Sequence, residues 1–206
     1  MTLLFEVPLF LYSQFLTALL SCFLLRKKKT LFFKILTLFL VVTFFIEFLG
    51  WYLSSIEKPN FRVYHFYTIF EYFGIFVLYR VLLKERKYLK ISYILLFIFT
   101  VLSVLTFFDR KYLHYTGIIG SFNVGVLVFL YLRELLLSNE ILNYKKLLPF
   151  WVSVGLLVFH LPAIPFFSFW NYMKNKDLFP ILHSLIILMN IIISFGLLWS
   201  NKKEEY

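Results

Sequence analysis

Seven apolar stretches, each about as long as a helix that crosses a hydrocarbon core roughly 30 Å thick, alternate with short polar connections along this chain. They cover about residues 3–25, 31–55, 63–83, 91–108, 113–137, 147–168 and 178–200. The first stops at Arg26, Lys27, Lys28 and Lys29, and the second before the turn residues Glu57, Lys58, Pro59 and Asn60. Because every connection is short, sequential helices are expected as antiparallel neighbours in one bundle, a single domain over residues 1–206.

Composition turns that pattern into a class. A chain that is 61% hydrophobic, with a mean hydropathy of +0.83 and only 16% charged residues, cannot cover a soluble surface. The expectation is an all-α polytopic integral membrane protein, a seven-transmembrane-helix bundle.

Charge then gives the orientation. Arg26 to Lys29, Lys84 to Lys90, Lys145 with Lys146, and Lys202 with Lys203 fall in alternate connections, whereas the opposite set mixes signs at Glu57, Lys58 and Arg62, at Asp109, Arg110 and Lys111, and at Lys174, Lys176 and Asp177. Lys and Arg accumulate in cytoplasmic loops, so the N-terminus is expected outside and the C-terminus in the cytoplasm. The net charge of +10 is accounted for by this topology and by anionic lipid headgroups, and calls for no nucleic acid. The first stretch has no basic residue ahead of it and four behind it, the pattern of a retained helix rather than a cleaved signal. The lone Cys22 excludes an internal disulfide or a cysteine metal site. Trp51, Tyr52, Tyr64, Trp170 and Tyr172 fall where an outer interfacial belt is expected, and much of the phenylalanine content is read as lipid-facing filler.

Ionisable residues inside apolar stretches are the candidate chemistry, since their burial in a bilayer is costly. Counted at 1.5 Å per residue from the outer helix ends, Glu47, Glu71 and His160 lie roughly 12 Å deep and His183 roughly 8 Å. Tyr67 and Asn190 join this layer as supporting donors, with Glu6, His65 and His114 at its mouth. Polar positions recur at helical spacing in most stretches: Glu6, Ser13 and Thr17; Thr43, Glu47 and Trp51; Tyr64, Tyr67 and Glu71; Ser92, Ser103 and Thr106; Ser153 and His160; His183 and Asn190. The fifth stretch offers small residues around Asn123, namely Gly117, Gly120, Ser121 and Gly125, which permit close backbone approach. Pro162 and Pro165 just after His160 predict that the sixth helix kinks or ends there, while Pro180 falls in the first turn of the seventh, where proline is tolerated.

Four chemistries fit such a layer. Carboxyls and imidazoles couple protonation to helix packing. They recognise a small polar ligand or headgroup entering from outside. They satisfy one another as a structural network. They also hold zinc, for which His160, His183 and Glu71 are the ligand candidates, although no HExxH or HxxxH pair is present. No cofactor is expected under the first three.

Comparison with seven-helix families narrows this list. A retinal protein requires a lysine in the last helix, and 178–200 contains none. Zinc-dependent seven-helix lipid hydrolases share the helix count but not the late HxxxH pair. Glu47 before Gly50-Trp51-Tyr52, Tyr64-His65 with Tyr67 and Glu71, Pro149-Phe150-Trp151, and His183 with Asn190 together resemble uncharacterised small seven-span membrane proteins of AT-rich bacteria. The chain is also similar to the sensory membrane modules that precede histidine kinases. The resemblance implies no particular reaction; taken with the polar layer, the expectation is a multi-pass protein of the bacterial cytoplasmic membrane, a sensor, binding or transport-type module without covalent catalysis, contacting membrane lipids and a protein partner in the membrane or cytoplasm. The stretch Asn201 to Tyr206 carries no output domain. The alternatives are an accessory structural subunit of a larger membrane complex and a metal-dependent membrane hydrolase acting on lipids.

Overall fold

The computed structural model describes residues 7–109, 112–169 and 179–200. Among them are seven α-helices: α1 (Leu9–Leu24), α2 (Leu31–Ser55), α3 (Phe61–Leu82), α4 (Arg86–Phe108), α5 (Tyr112–Leu136), α6 (Leu148–Phe169) and α7 (Phe179–Trp199). A 3-10 helix, Asn139–Lys146, joins α5 to α6, and the described residues contain no strand. Five helices, α2, α4, α5, α6 and α7, are long and apolar enough to cross a membrane, as a multi-pass membrane protein requires. α1 is apolar but 16 residues long, and the 22 residues of α3 include Arg62, Glu71 and Arg80.

Local chemistry sets the helix ends. Thr30 caps α2, its hydroxyl accepting the Phe33 N–H at 3.3 Å. At the other end the Glu57 N–H donates to Ser54 O and the Lys58 N–H to Leu53 O, the paired bonds of a Schellman motif, with Glu57 at a φ of 56° where glycine is usual. α4 begins at Arg86, five residues before its apolar run, because the Glu134 carboxylate on α5 accepts the N–H groups of Lys84 at 3.0 Å and Glu85 at 2.8 Å. Lys28 does the converse for α7, donating from Nζ to the carbonyls of Leu197 and Ser200 and to the Ser200 hydroxyl.

Packing closes six helices into a ring, in the order α1, α2, α3, α5, α6, α7 and back to α1, with α4 laid outside against α5 and α3. α4 shows why the ring belongs in an apolar medium. It turns Ser92, Ser103 and Thr106 inward and leaves Phe97 and Phe107 69% and 70% exposed, the reverse of a helix on a soluble domain. The ring's apolar core gathers at the end where the basic connections lie, around Phe32, Phe33, Leu36, Ile75, Leu78 and Leu197. A smaller cluster of Phe10, Leu11, Phe159 and Ile186 fills the α1, α6 and α7 side toward the other end. Between them lie the buried polar residues.

Of the kink or end expected at His160 to Pro165, the end does not occur: α6 continues through both prolines to Phe169. Pro162 and Pro165 deprive only the carbonyls of Val158 and Leu161 of their usual donors. Packing of α6 against both α5 and α7 carries the helix past them. His160 therefore sits within a continuous helix.

Candidate functional site

The polar layer is built by helical register. Gln14, Thr17, Glu47, Glu71, Ser121 and His160 all lie roughly 8 to 15 Å from the helix ends opposite the basic connections. All six are buried. They resolve into three groups.

The first lies between α2 and α3. Tyr67 donates its hydroxyl to Glu71 Oε1 at 3.2 Å, one turn along α3. Glu47 lies close to the same hydroxyl and to the Glu71 carboxyl, across the contact of α2 with α3. Neither carboxyl makes an ion pair among the described residues, where the ion pairs are Lys84 with Glu140 and Lys87 with Glu85. Tyr64 completes this group. Its ring rests on Gly50, where an added Cβ would come within 2.9 Å of Cζ, and its hydroxyl senses the Glu47 charge. One turn deeper on α2, the buried Thr43 hydroxyl has no hydrogen-bond partner.

The second group lies on the other side of α3, against α5 and α6. Tyr72 donates to Gly117 O at 3.0 Å and stands 3.1 Å from Ser121 Oγ, which in turn is 3.3 Å from His160 Nδ1. Counting protons fixes the direction of this chain. With the Tyr72 proton on Gly117, Ser121 donates to Tyr72, and the neutral imidazole donates from Nδ1 to Ser121. Nε2 is left as a bare acceptor, fully buried and with no partner. The Tyr72 ring lies 5.7 Å from the imidazole and fits only because position 120 is glycine.

The third group joins α1 to α7. Thr17 Oγ1 and Ser194 Oγ are 2.9 Å apart, and Thr17 also reaches Asn190 O at 3.4 Å. The Asn190 amide turns back to Ile186 O at 2.9 Å. Gln14 is buried on α1 with its Oε1 unpartnered. His183 stacks on Phe10 at 4.5 Å, and no hydrogen bond or ion pair among the described residues joins it to Glu71.

The structure thus brings Glu47, Glu71 and Tyr67 together, places His160 across α3 from them, and sets His183 and Asn190 on a separate seam. His65 lies apart, buried between α3 and α4, with Thr106 Oγ1 3.0 Å from its Nδ1. Glu6 and the side chain of His114, both expected at the mouth, lie outside the described residues. Among the described residues no three His, Cys, Asp or Glu side chains converge to hold a metal ion. The expectation from sequence omitted Gln14 and Tyr72 and read Ser121 only as a small packing residue. Gln14 lies three and seven positions before Thr17 and Ser21, a helical stripe that marks it. Tyr72 follows Glu71 directly and left no such signal.

The arrangement offers two carboxyls beside one phenol, and a separate imidazole with a free lone pair at the end of a directed hydrogen-bond chain. The first can hold and exchange protons; the second can accept a proton or a polar donor. Compared with known proteins, the chain matches no family model, no curated protein and no solved structure.

Proposed function

We propose that this protein is a seven-span module of the bacterial cytoplasmic membrane, N-terminus outside, that senses or binds through its buried polar layer and passes the response to a protein partner without covalent chemistry of its own. One observation carries the reading: carboxyls from two different helices, Glu47 and Glu71, are buried beside Tyr67, with no cation paired to either among the described residues. Structural networks in membranes satisfy their members at modest cost, whereas an unneutralised acid pair between two helices makes their packing depend on how many protons the pair holds. Two states of occupancy then favour two packings of α2 against α3, which is what a proton-linked or ligand-linked switch needs.

His160 supports the same reading from the opposite face of α3. Its bare Nε2 is an acceptor awaiting a donor, and the α3 residues Glu71 and Tyr72 sit back to back between the two groups. The excess of basic residues in alternate connections supports the orientation.

Thermal unfolding of the detergent-purified full chain across a range of pH tests this. The reading expects the wild-type midpoint to vary with pH and Glu71→Gln to change that dependence. Identical, flat curves for both proteins would remove the proton-linked switch and leave a structural network.

A further inference from the structure

A groove of about 370 Å³ opens between α3 and α4, at the end of this helical hairpin far from its tight connection at Leu83 to Glu85. Arg62 stands at the rim, exposed and without an ion-pair partner among the described residues. Phe61, Phe66 and Phe107 form the walls, and Ile69 extends them to about 10 Å along α3 from Arg62. The floor is polar at one level only, where buried His65 meets Thr106, whose hydroxyl already donates to Ser103 O at 2.6 Å. Both ring nitrogens of His65 lie within hydrogen-bond distance of this one hydroxyl, Nδ1 at 3.0 Å and Nε2 at 3.2 Å, which fixes the imidazole at the floor of the groove.

The grading is that of an amphiphile's complement: a guanidinium at the rim, a hydrogen-bonding level just beneath, and aromatic and aliphatic walls below. Arg pairs with phosphate in a bidentate geometry, and aromatic side chains at this depth accommodate glycerol and the first methylenes of a chain. The opening faces outward from the bundle, on the side of α4 whose apolar residues are exposed, so its occupant arrives from the surrounding apolar medium rather than through the ring.

We infer that this groove binds one anionic phospholipid of the surrounding leaflet, its phosphate on Arg62 and an acyl chain along Phe66, Ile69 and Phe107. The site is separate from the carboxyl pair and rests only on the reading that the bundle lies in a membrane.

Native mass spectrometry of the full chain in detergent, titrated with dioleoyl phosphatidylglycerol, tests the inference. The expected result is a saturable adduct of one lipid, weakened about fivefold or more by Arg62→Gln and by Ile69→Trp, and weakened less by Arg62→Lys, which keeps the charge without the two-point geometry. Dioleoylglycerol, which has the same chains without phosphate, is expected to give no saturable adduct. Arg62 is exposed, so its variants keep the fold, and a melting curve verifies the same for Ile69→Trp. Equal binding by wild type, Arg62→Gln and Ile69→Trp would overturn the site, as would displacement of the lipid by inorganic phosphate alone, which would assign Arg62 to a free anion. Recovery of the chain without detergent would instead remove the membrane reading itself.

Discussion

Ser121 Oγ lies between Tyr72 Oη at 3.1 Å and His160 Nδ1 at 3.3 Å, the one hydroxyl through which α3, α5 and α6 are tied by side chains at this level. All three residues are buried, so loss of the middle member leaves a phenol without its donor and an imidazole N–H without its acceptor. Ser121→Ala is expected to lower unfolding stability by roughly 1 to 3 kcal/mol. Ser168→Ala, which removes only a bond to Ile164 O on its own helix at an exposed position, is expected to stay within about 0.5 kcal/mol of wild type. Chemical or thermal unfolding in detergent distinguishes them, and equal effects would dissolve the chain.

Two glycines of α5 have opposite tolerance. A Cβ at Gly120 would fall 2.3 Å from the Tyr72 ring, whereas at Gly125 it would meet Leu161 at an ordinary 3.5 Å. Gly120→Ala must push Tyr72 off Ser121 and is expected to cost about 1 to 3 kcal/mol. Gly125→Ala is expected to be neutral or stabilising, since alanine favours helix by up to about 1 kcal/mol. The comparison of unfolding midpoints checks whether the close approach of α3 and α5 at Gly120 is real.

Glu57 closes α2 in a left-handed conformation that costs a residue with a Cβ roughly 1 kcal/mol or more. Glu57→Gly keeps both Schellman bonds and is expected to raise stability by about 1 kcal/mol, offset in part by greater freedom of the unfolded chain. A lowered melting temperature would show that the Glu57 side chain has a role of its own.

How far the sequence reaches is clearest at particular residues. The bounds of α2 follow from the sequence alone, because Thr30 supplies a cap at one end and a polar turn follows the apolar run at the other. The start of α4 does not, since the decisive group, Glu134, lies about 50 positions away and acts through the folded structure. Likewise the prolines of α6 read locally as a break, and only the packing of α5 and α7 on either side explains its continuity. Acids inside apolar runs are rare enough that Glu47 and Glu71 stand out, and depth alone puts them in one layer. Depth does not give azimuth. His160 shares their depth, yet α6 turns it to Ser121, and the shallower His183 is turned by α7 to Phe10. Serine and tyrosine are common in spans, so Ser121 and Tyr72 are unremarkable until the helices are set side by side.

Glu47 and Glu71 are expected to exchange protons as one unit beside Tyr67. Infrared difference spectroscopy of the full chain between acidic and alkaline buffer reads buried carboxyl groups directly. The Glu71 carboxyl band, assigned by its loss in Glu71→Gln, is expected to shift its titration midpoint in Glu47→Gln, and Tyr67→Phe to alter the band's frequency. A Glu71 band that titrates identically with and without Glu47 would contradict it.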